Sequence, residues 1–259
     1  MSMGTGTHDF DLKGRKLMKI LIVRHGDPDY SIDSLTEKGW SEAEYLSERL
    51  TKLDVKEFYV SPMGRAKDTA SFTLKKLNRT AVECEWLREF APRIRRPDCE
   101  DSPVVWDWLP QDWTKHEEFY DYDKWCDQEI MQEGKVRQEY EWVTGSLDRL
   151  LAEHGYVRDG HLYRAERPNQ DTIVFFCHFG LGCVLISHLL GISPMVLWHG
   201  FCAAPTSVAT LVTEERRKGI ASFRMSSYGD ISHLYVKDEE PAFSARFCEM
   251  YENTDERHD

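Results

Sequence analysis

The chain has 259 residues, 41% apolar and 30% charged, an ordinary globular balance that fits one large domain or two small ones. Its net charge of −12 argues against nucleic acid as the main partner, because phosphate backbones attract basic surfaces. No apolar run approaches the roughly 20 residues of a membrane span, and no basic-then-apolar leader opens the chain.

Residues 1–16 are polar and aperiodic and read as a flexible extension outside the fold. An apolar β-type run over 17–23 follows and ends in Arg24-His25-Gly26. In a mostly parallel α/β sheet, the C-terminal strand ends are where ligands bind. An arginine there suits an anion, a histidine serves as nucleophile or acid/base, and a glycine lets the backbone turn tightly. The plainer alternative for this triplet alone is a strand end with a solvent-facing histidine.

Residues 27–33 read as a loop, and Thr36 as the cap of a helix whose Ala43, Leu46, Leu50 and Leu53 share one face. A second strand covers Glu57–Val60, a helix runs over 63–77, and a third short strand over 81–86. Residues 97–135 differ. They hold Trp106, Trp108, Trp113, Phe119, Tyr120, Tyr122 and Trp125 among many acids, and Pro97, Pro103 and Pro110 exclude one long helix. We read an irregular, partly helical insertion, either a lid over a site or a satellite core in which the tryptophans bury one another.

The helical pattern returns with Val136, Tyr140, Val143, Leu147 and Leu150. Residues 156–170 read as a polar excursion with a hairpin across Arg158-Asp159-Gly160. Thr172–Cys177, apolar throughout, reads as a central strand. His178-Phe179-Gly180 opens an apolar helix reaching Leu190. Strands over 207–213 and 222–226 flank a charged turn at 214–219, and residues 237–259 form a tail. Strands alternating with helices give an α/β fold, a three-layer α/β/α sandwich with a mostly parallel central sheet, one folded domain over 17–236.

Seven scattered cysteines, none in Cys-x-x-Cys, argue against a disulfide framework or a zinc site. Cys177, Cys183 and Cys202 sit in apolar surroundings and read as buried free thiols in a reducing, cytoplasmic compartment. His116 has no partner at metal-ligand spacing.

His178 repeats the logic of His25: an apolar strand, a histidine, a glycine within two residues, then a helix whose first N–H groups favour an anion. Arg65 lies in the first turn of a helix, a poor place for a cation unless an anion sits between it and the helix N-terminus. Cys177 invites a cysteine-phosphatase reading, but six residues on stands Cys183 where that chemistry needs an arginine. The Ser187-His188 and Trp198-His199 pairs read as structural.

The pieces together resemble the histidine phosphatase superfamily, the phosphoglycerate mutase-like proteins. They are Arg24-His25-Gly26; Leu35-Thr36-Glu37-Lys38-Gly39 with Glu42-Ala43; Ser61-Pro62 with Arg65-Ala66 and Thr69-Ala70; Trp86-Leu87-Arg88-Glu89; Cys177-His178-Phe179-Gly180; and Asp230-Ile231-Ser232-His233-Leu234. They run from about residue 17 to 235.

The resemblance implies a phosphoglycerate mutase-like fold with a cap at 97–135, and a histidine acid phosphatase-type phosphoric monoester hydrolase acting on a small-molecule phosphate ester. It implies His25 as nucleophile through phosphohistidine, and Arg24, Arg65, His178 and the Phe179 backbone around the phosphoryl group. Glu89 would be the proton donor. No metal or other cofactor is implied, since arginine and histidine supply the positive charge.

Glu83 and Glu85 crowd Glu89, and Asp27 is a rival donor. Phe179 replaces the usual small residue. A nearby anion site for Arg93, Arg95 and Arg96, or simple pairing with acids, stays open. Asp27-Pro28-Asp29-Tyr30 lacks the longer motif of true mutases, which favours hydrolysis over phosphoryl return to the substrate. A non-catalytic phosphate-binding protein on the same fold is the third reading.

Overall fold

The computed structural model describes residues 17–96, 103–243 and 252. The extension expected at 1–16, the start of the insertion at 97–102 and most of the tail lie outside the described residues.

The first strand, β1 (Lys19–Arg24), alternates its side chains between two buried layers: Ile20 and Ile22 pack into one cluster, Leu21 and Val23 into another. Both faces of the strand are therefore covered, as its continuous apolar run requires. A two-stranded ribbon, β2 (Pro28–Asp29) and β3 (Ser34–Leu35), leads to α1 (Glu37–Leu50). Thr36 Oγ1 accepts the Gly39 N–H at 3.1 Å and caps that helix. Next come β4 (Glu57–Val60), α2 (Gly64–Leu77) and β5 (Val82–Glu83). β5 is shorter than the strand read over 81–86. Its two residues are exposed at the sheet edge, and Trp86 leaves the strand line to set its ring edge-on against Phe175 at 5.9 Å.

The insertion contains α3 (Pro110–Trp113) and α4 (Glu129–Glu133), joined by irregular turns. Then follow α5 (Val136–Glu153), β6 (Tyr156–Asp159), β7 (Leu162–Ala165), β8 (Thr172–Cys177), α6 (Phe179–Leu190) and α7 (Pro194–Gly200). The chain closes through β9 (Val208–Arg217), β10 (Ile220–Asp230) and α8 (Ser232–Tyr235).

Eight strands form one sheet in the order β5-β4-β8-β1-β9-β10-β7-β6. Six run in one sense, and β7 and β9 run against them. α1 and α2 cover one face through Leu46, Leu50, Ala66 and Ala70; α5, α6 and α7 belong to the cluster on the other. This is the three-layer sandwich, with β8 central as its apolar sequence indicates.

Two further sequence readings, of charged stretches, need correction. The charged stretch at 214–219 is mostly strand: β9 carries Glu214 to Arg217 outward, where Glu214 pairs across the ladder with Arg224 at 2.8 Å, and only Lys218-Gly219 turns. The hairpin at β6–β7 is no surface excursion. It extends the sheet through β10, burying Tyr156 and Tyr163 against Phe223. The alternating apolar side chains, not the surrounding charge, decided both cases.

The cap is continuous with the core. Trp108, Trp113, Phe119 and Trp125 are buried in the same cluster as α5, α6 and α7, and Trp125 stands edge-on to Trp198 at 5.5 Å and Tyr140 at 5.2 Å. Cys126, Cys177 and Cys183 are buried free thiols, whereas Cys202 is exposed, contrary to its apolar surroundings in sequence. Among the described residues no helix is long and apolar enough to cross a membrane.

Candidate active site

Parallel register assembles the site. Arg24 ends β1 directly opposite Cys177, the last residue of β8, so His25 and His178 step out of the sheet side by side. Their ring centroids lie 5.1 Å apart. β4 pairs with β8 on the other side, and Ser61, just beyond β4, meets His178 Nε2 at 2.7 Å. Arg65 enters from the first turn of α2. Arg24, His25, Arg65 and His178 are all buried.

His25 is held at three points. Its N–H donates to Cys177 O at 2.9 Å, its carbonyl accepts the Thr206 N–H at 3.1 Å, and Nδ1 lies 2.7 Å from Gly26 O. A carbonyl only accepts, so Nδ1 carries the proton and Nε2 keeps its lone pair. Arg65 Nε–H points at that lone pair from 3.3 Å. Gly26 is needed for close approach: a Cβ there would lie 2.8 Å from Gly39 O. Burial, then the charges of Arg24 and Arg65, hold the His25 imidazole well below its ordinary range. His178 is lowered well below its ordinary range by burial, then by His25 and both arginines. Its Nδ1 is buried without a hydrogen-bond partner in the protein.

Of the acids that sequence left in competition, Glu89 reaches this pocket. Its Oε1 accepts N–H bonds from Phe90 at 2.8 Å and from Leu181, in the first turn of α6, at 2.9 Å. The helix N-terminus expected to face an anion thus holds this carboxylate. Burial pushes the Glu89 carboxyl above its ordinary range, against the pull of those N–H groups and the arginines. Gly180 makes the approach possible, since a Cβ there would stand 2.6 Å from the Trp106 ring and 3.0 Å from Glu89 Oε1.

Glu83 and Glu85 are exposed, and Glu83 pairs with Lys67 at 2.6 Å. Asp27 is tied to the start of α1: its Oδ2 accepts the Thr36 hydroxyl at 2.7 Å, and its N–H donates to Glu42 at 3.0 Å. The Phe179 ring is buried beneath the Arg24 guanidinium at 6.0 Å and meets the Trp106 edge at 6.2 Å. Arg95 is exposed, while Arg96 is buried.

Sequence reasoning passed over several contributors. Ser61, of the Ser61-Pro62 pair after β4, orients His178. Asp33 holds Arg65 Nη1 at 2.5 Å and accepts the Gly64 N–H at 2.7 Å, fixing the guanidinium from the loop before β3. Tyr30, largely exposed, lays its ring 5.4 Å from the same guanidinium. Only the position of Ser61 directly after a strand gave any signal.

Two imidazoles and two guanidiniums, with a carboxyl of raised proton affinity, thus converge at parallel strand ends of an α/β/α sandwich. That combination defines a class of proteins whose pocket supplies positive charge from side chains. The histidine phosphatase superfamily (branch 1) profile matches residues 20–143 of this chain.

Among curated relatives, a 2,3-bisphosphoglycerate-dependent phosphoglycerate mutase of Thermoplasma acidophilum is 36% identical over 83 residues, covering 28% of this chain and 42% of the relative. The mitochondrial serine/threonine-protein phosphatase Pgam5 of Drosophila melanogaster is 35% identical over 109 residues, covering 38% and 36%. The matches thus span less than half the length of these relatives. A phosphoserine phosphatase structure from Entamoeba histolytica superposes with a TM-score of 0.54 at 18% identity, covering 84% of this chain and 99% of that one. A mycobacterial glucosyl-3-phosphoglycerate phosphatase gives 0.54 at 17%, covering 82% and 99%. These two likenesses show the shared fold.

Proposed function

We propose that the protein is a phosphatase that hydrolyses a small phosphomonoester through a phosphohistidine on His25. One observation carries this reading: the only lone pair of the neutral His25 ring, on Nε2, faces the buried Arg65 Nε–H, with the His178 ring 5.1 Å from the His25 ring and the Arg24 charge acting on it.

A phosphoryl group entering there takes over the Arg65 Nε–H now donated to His25. The unpartnered His178 Nδ1 suits a phosphoryl oxygen when Ser61 donates its hydroxyl proton to Nε2. Donors fixed in advance around the transferring group are the main lever in phosphoryl transfer. His25 Nε2 forms a bond to phosphorus with its lone pair as the ester P–O bond breaks, and Glu89 gives its proton to the leaving oxygen. Water then loses a proton to the Glu89 carboxylate and attacks phosphorus. The N–P bond breaks, its electron pair returns to Nε2, and phosphate leaves.

The lowered imidazole and raised carboxyl match these roles, with His25 neutral and Glu89 protonated at the start. Hydrolysis is favoured over mutase activity by the short Asp27-Pro28-Asp29-Tyr30 segment. The names of the phosphatase relatives agree with it. The free cysteines support a reducing, cytoplasmic setting.

The test is turnover of p-nitrophenyl phosphate with EDTA present. Wild type should be active and His25→Ala inactive; equal activity in both removes the mechanism. Turnover of a phosphoglycerate only after priming by a bisphosphate would replace hydrolysis with mutase chemistry.

A further inference from the structure

Thr206 lies in the loop between α7 and β9, fully buried, with φ at +59°. A β-branched side chain in the left-handed region is an outlier, because its Cβ substituents crowd the backbone. Such a conformation persists only where surrounding contacts over-determine it, and those places cluster at functional sites.

The contacts here are specific. The Thr206 N–H donates to the His25 carbonyl at 3.1 Å, and the next carbonyl, of Ser207, accepts the Arg24 N–H at 3.1 Å. The backbone of the Arg24-His25 pair is therefore registered against Thr206-Ser207. The Thr206 hydroxyl is 2.7 Å from Pro205 O and 3.0 Å from His233 Nε2. Its single proton goes to the carbonyl, so His233 must be the donor through Nε2–H.

His233 is itself buried, on α8. Asp230 holds that turn, accepting the Ser232 N–H at 2.9 Å and Arg49 of α1 at 2.6 Å, while Leu234 is fully buried. The motif Asp230-Ile231-Ser232-His233-Leu234, which the proposed chemistry leaves unused, ends in this one contact.

We infer that His233 is a positioning residue for His25, acting through Thr206: its Nε2–H locks the strained Thr206 so that the Thr206 N–H fixes the carbonyl, and with it the ring, of the nucleophile. Displacements near 1 Å at a reacting atom can cost about 100-fold in rate. Loss of the lock should therefore appear in kcat. KM should change little, because the anion is held by the side chains of Arg24, Arg65 and His178.

The inference rests on the phosphatase reading, and its test keeps the two apart. With p-nitrophenyl phosphate, His233→Leu and Thr206→Val should each lower kcat about tenfold, with KM within about threefold. The double variant should be no worse than either single one, since both break the same link. His233→Gln, whose amide can donate to Thr206, should recover most of the rate.

Unchanged kcat in both single variants overturns the inference. So do losses that multiply in the double variant, or a kcat loss in His233→Leu that His233→Gln does not restore. If the wild type turns over no phosphomonoester, the phosphatase reading fails, and the lock is read instead from solvent exchange of the His25 Nδ1–H by NMR. That exchange should quicken about tenfold in His233→Leu; equal exchange overturns the inference.

Discussion

The pocket and the cap are built by opposite means. Arg24, His25, Arg65 and His178 each sit within a few residues of a strand end or helix start, and each is polar, buried and held by hydrogen bonds. The cap has little regular structure and gains its order from tryptophans that pack against α5 and α7. Polar groups are expensive to bury, so each needs a dedicated partner, and removing one acts on chemistry. Apolar rings share their burial with many neighbours, and removing one acts on stability. The contrast predicts that pocket variants fold and fail, whereas cap variants work and melt.

The largest effect should come from His25→Ala. Without the nucleophile no phosphohistidine forms, and the rate should fall at least about a thousandfold with melting unchanged or raised. A fall in stability matching the loss of rate would break the comparison at its strongest point.

Glu89→Gln should cost about 100- to 10,000-fold, the range for a general acid. It should also erase one limb of the pH profile. Glu89 must start protonated, so activity is lost as pH rises through its raised pKa. His25 must be neutral, so activity is lost as pH falls through its lowered pKa. An alkaline limb that survives Glu89→Gln assigns the donor elsewhere.

In the cap, Trp125→Ala should destabilise by about 3–5 kcal/mol, because it opens a void between Trp198 and Tyr140. Activity of the protein that remains folded should stay within about tenfold, read by urea melting beside kcat/KM. Trp106 is the exception that sharpens the boundary. Its Nε1–H donates to Phe90 O at 2.6 Å and its ring borders Glu89 and Phe179, so the cap touches the site there.

His199 fastens the cap to α7 in a neutral form. Its Nδ1 donates to Met195 O at 2.7 Å, and its Nε2 accepts the Trp108 N–H at 3.2 Å. Burial lowers it to about 4, with Arg96 adding repulsion. An imidazole whose folded pKa is depressed binds more protons when unfolded, so stability falls as pH drops below its unfolded value near 6.5. Between pH 7 and 5 the loss should be on the order of 1–2 kcal/mol. His199→Gln should flatten that slope; an unchanged slope shifts the effect to other buried histidines.

The same contrast explains what the sequence disclosed. Arg24, His25 and His178 announce themselves because a charged or titratable residue ends an apolar run, and Arg65 because a cation stands in the first turn of a helix; both patterns are local enough to read. The strands and helices of the sandwich are legible through their alternation, with errors where charge on an outward face imitated a turn, as in β9. Asp33 and Thr206 were silent, and Ser61 gave only its place after a strand, because their roles lie in partners that are distant along the chain. The division of the cap between Trp125, which supports the core, and Trp106, which borders the site, depends on α6 and α7 and has no local signature.

The smallest effect should come from Asp27→Asn, and it tests whether nearness in sequence to His25 implies membership of the pocket. Asp27 accepts the Thr36 hydroxyl with Oδ2, a bond that an asparagine carbonyl oxygen can also accept. Its N–H bond to Glu42 belongs to the backbone and survives the change. Stability should therefore fall by no more than about 1 kcal/mol. kcat should stay within about threefold, with both limbs of the pH profile in place. A loss near that of Glu89→Gln would move the proton donor to Asp27 and leave Glu89 as the carboxylate that closes the N-terminus of α6.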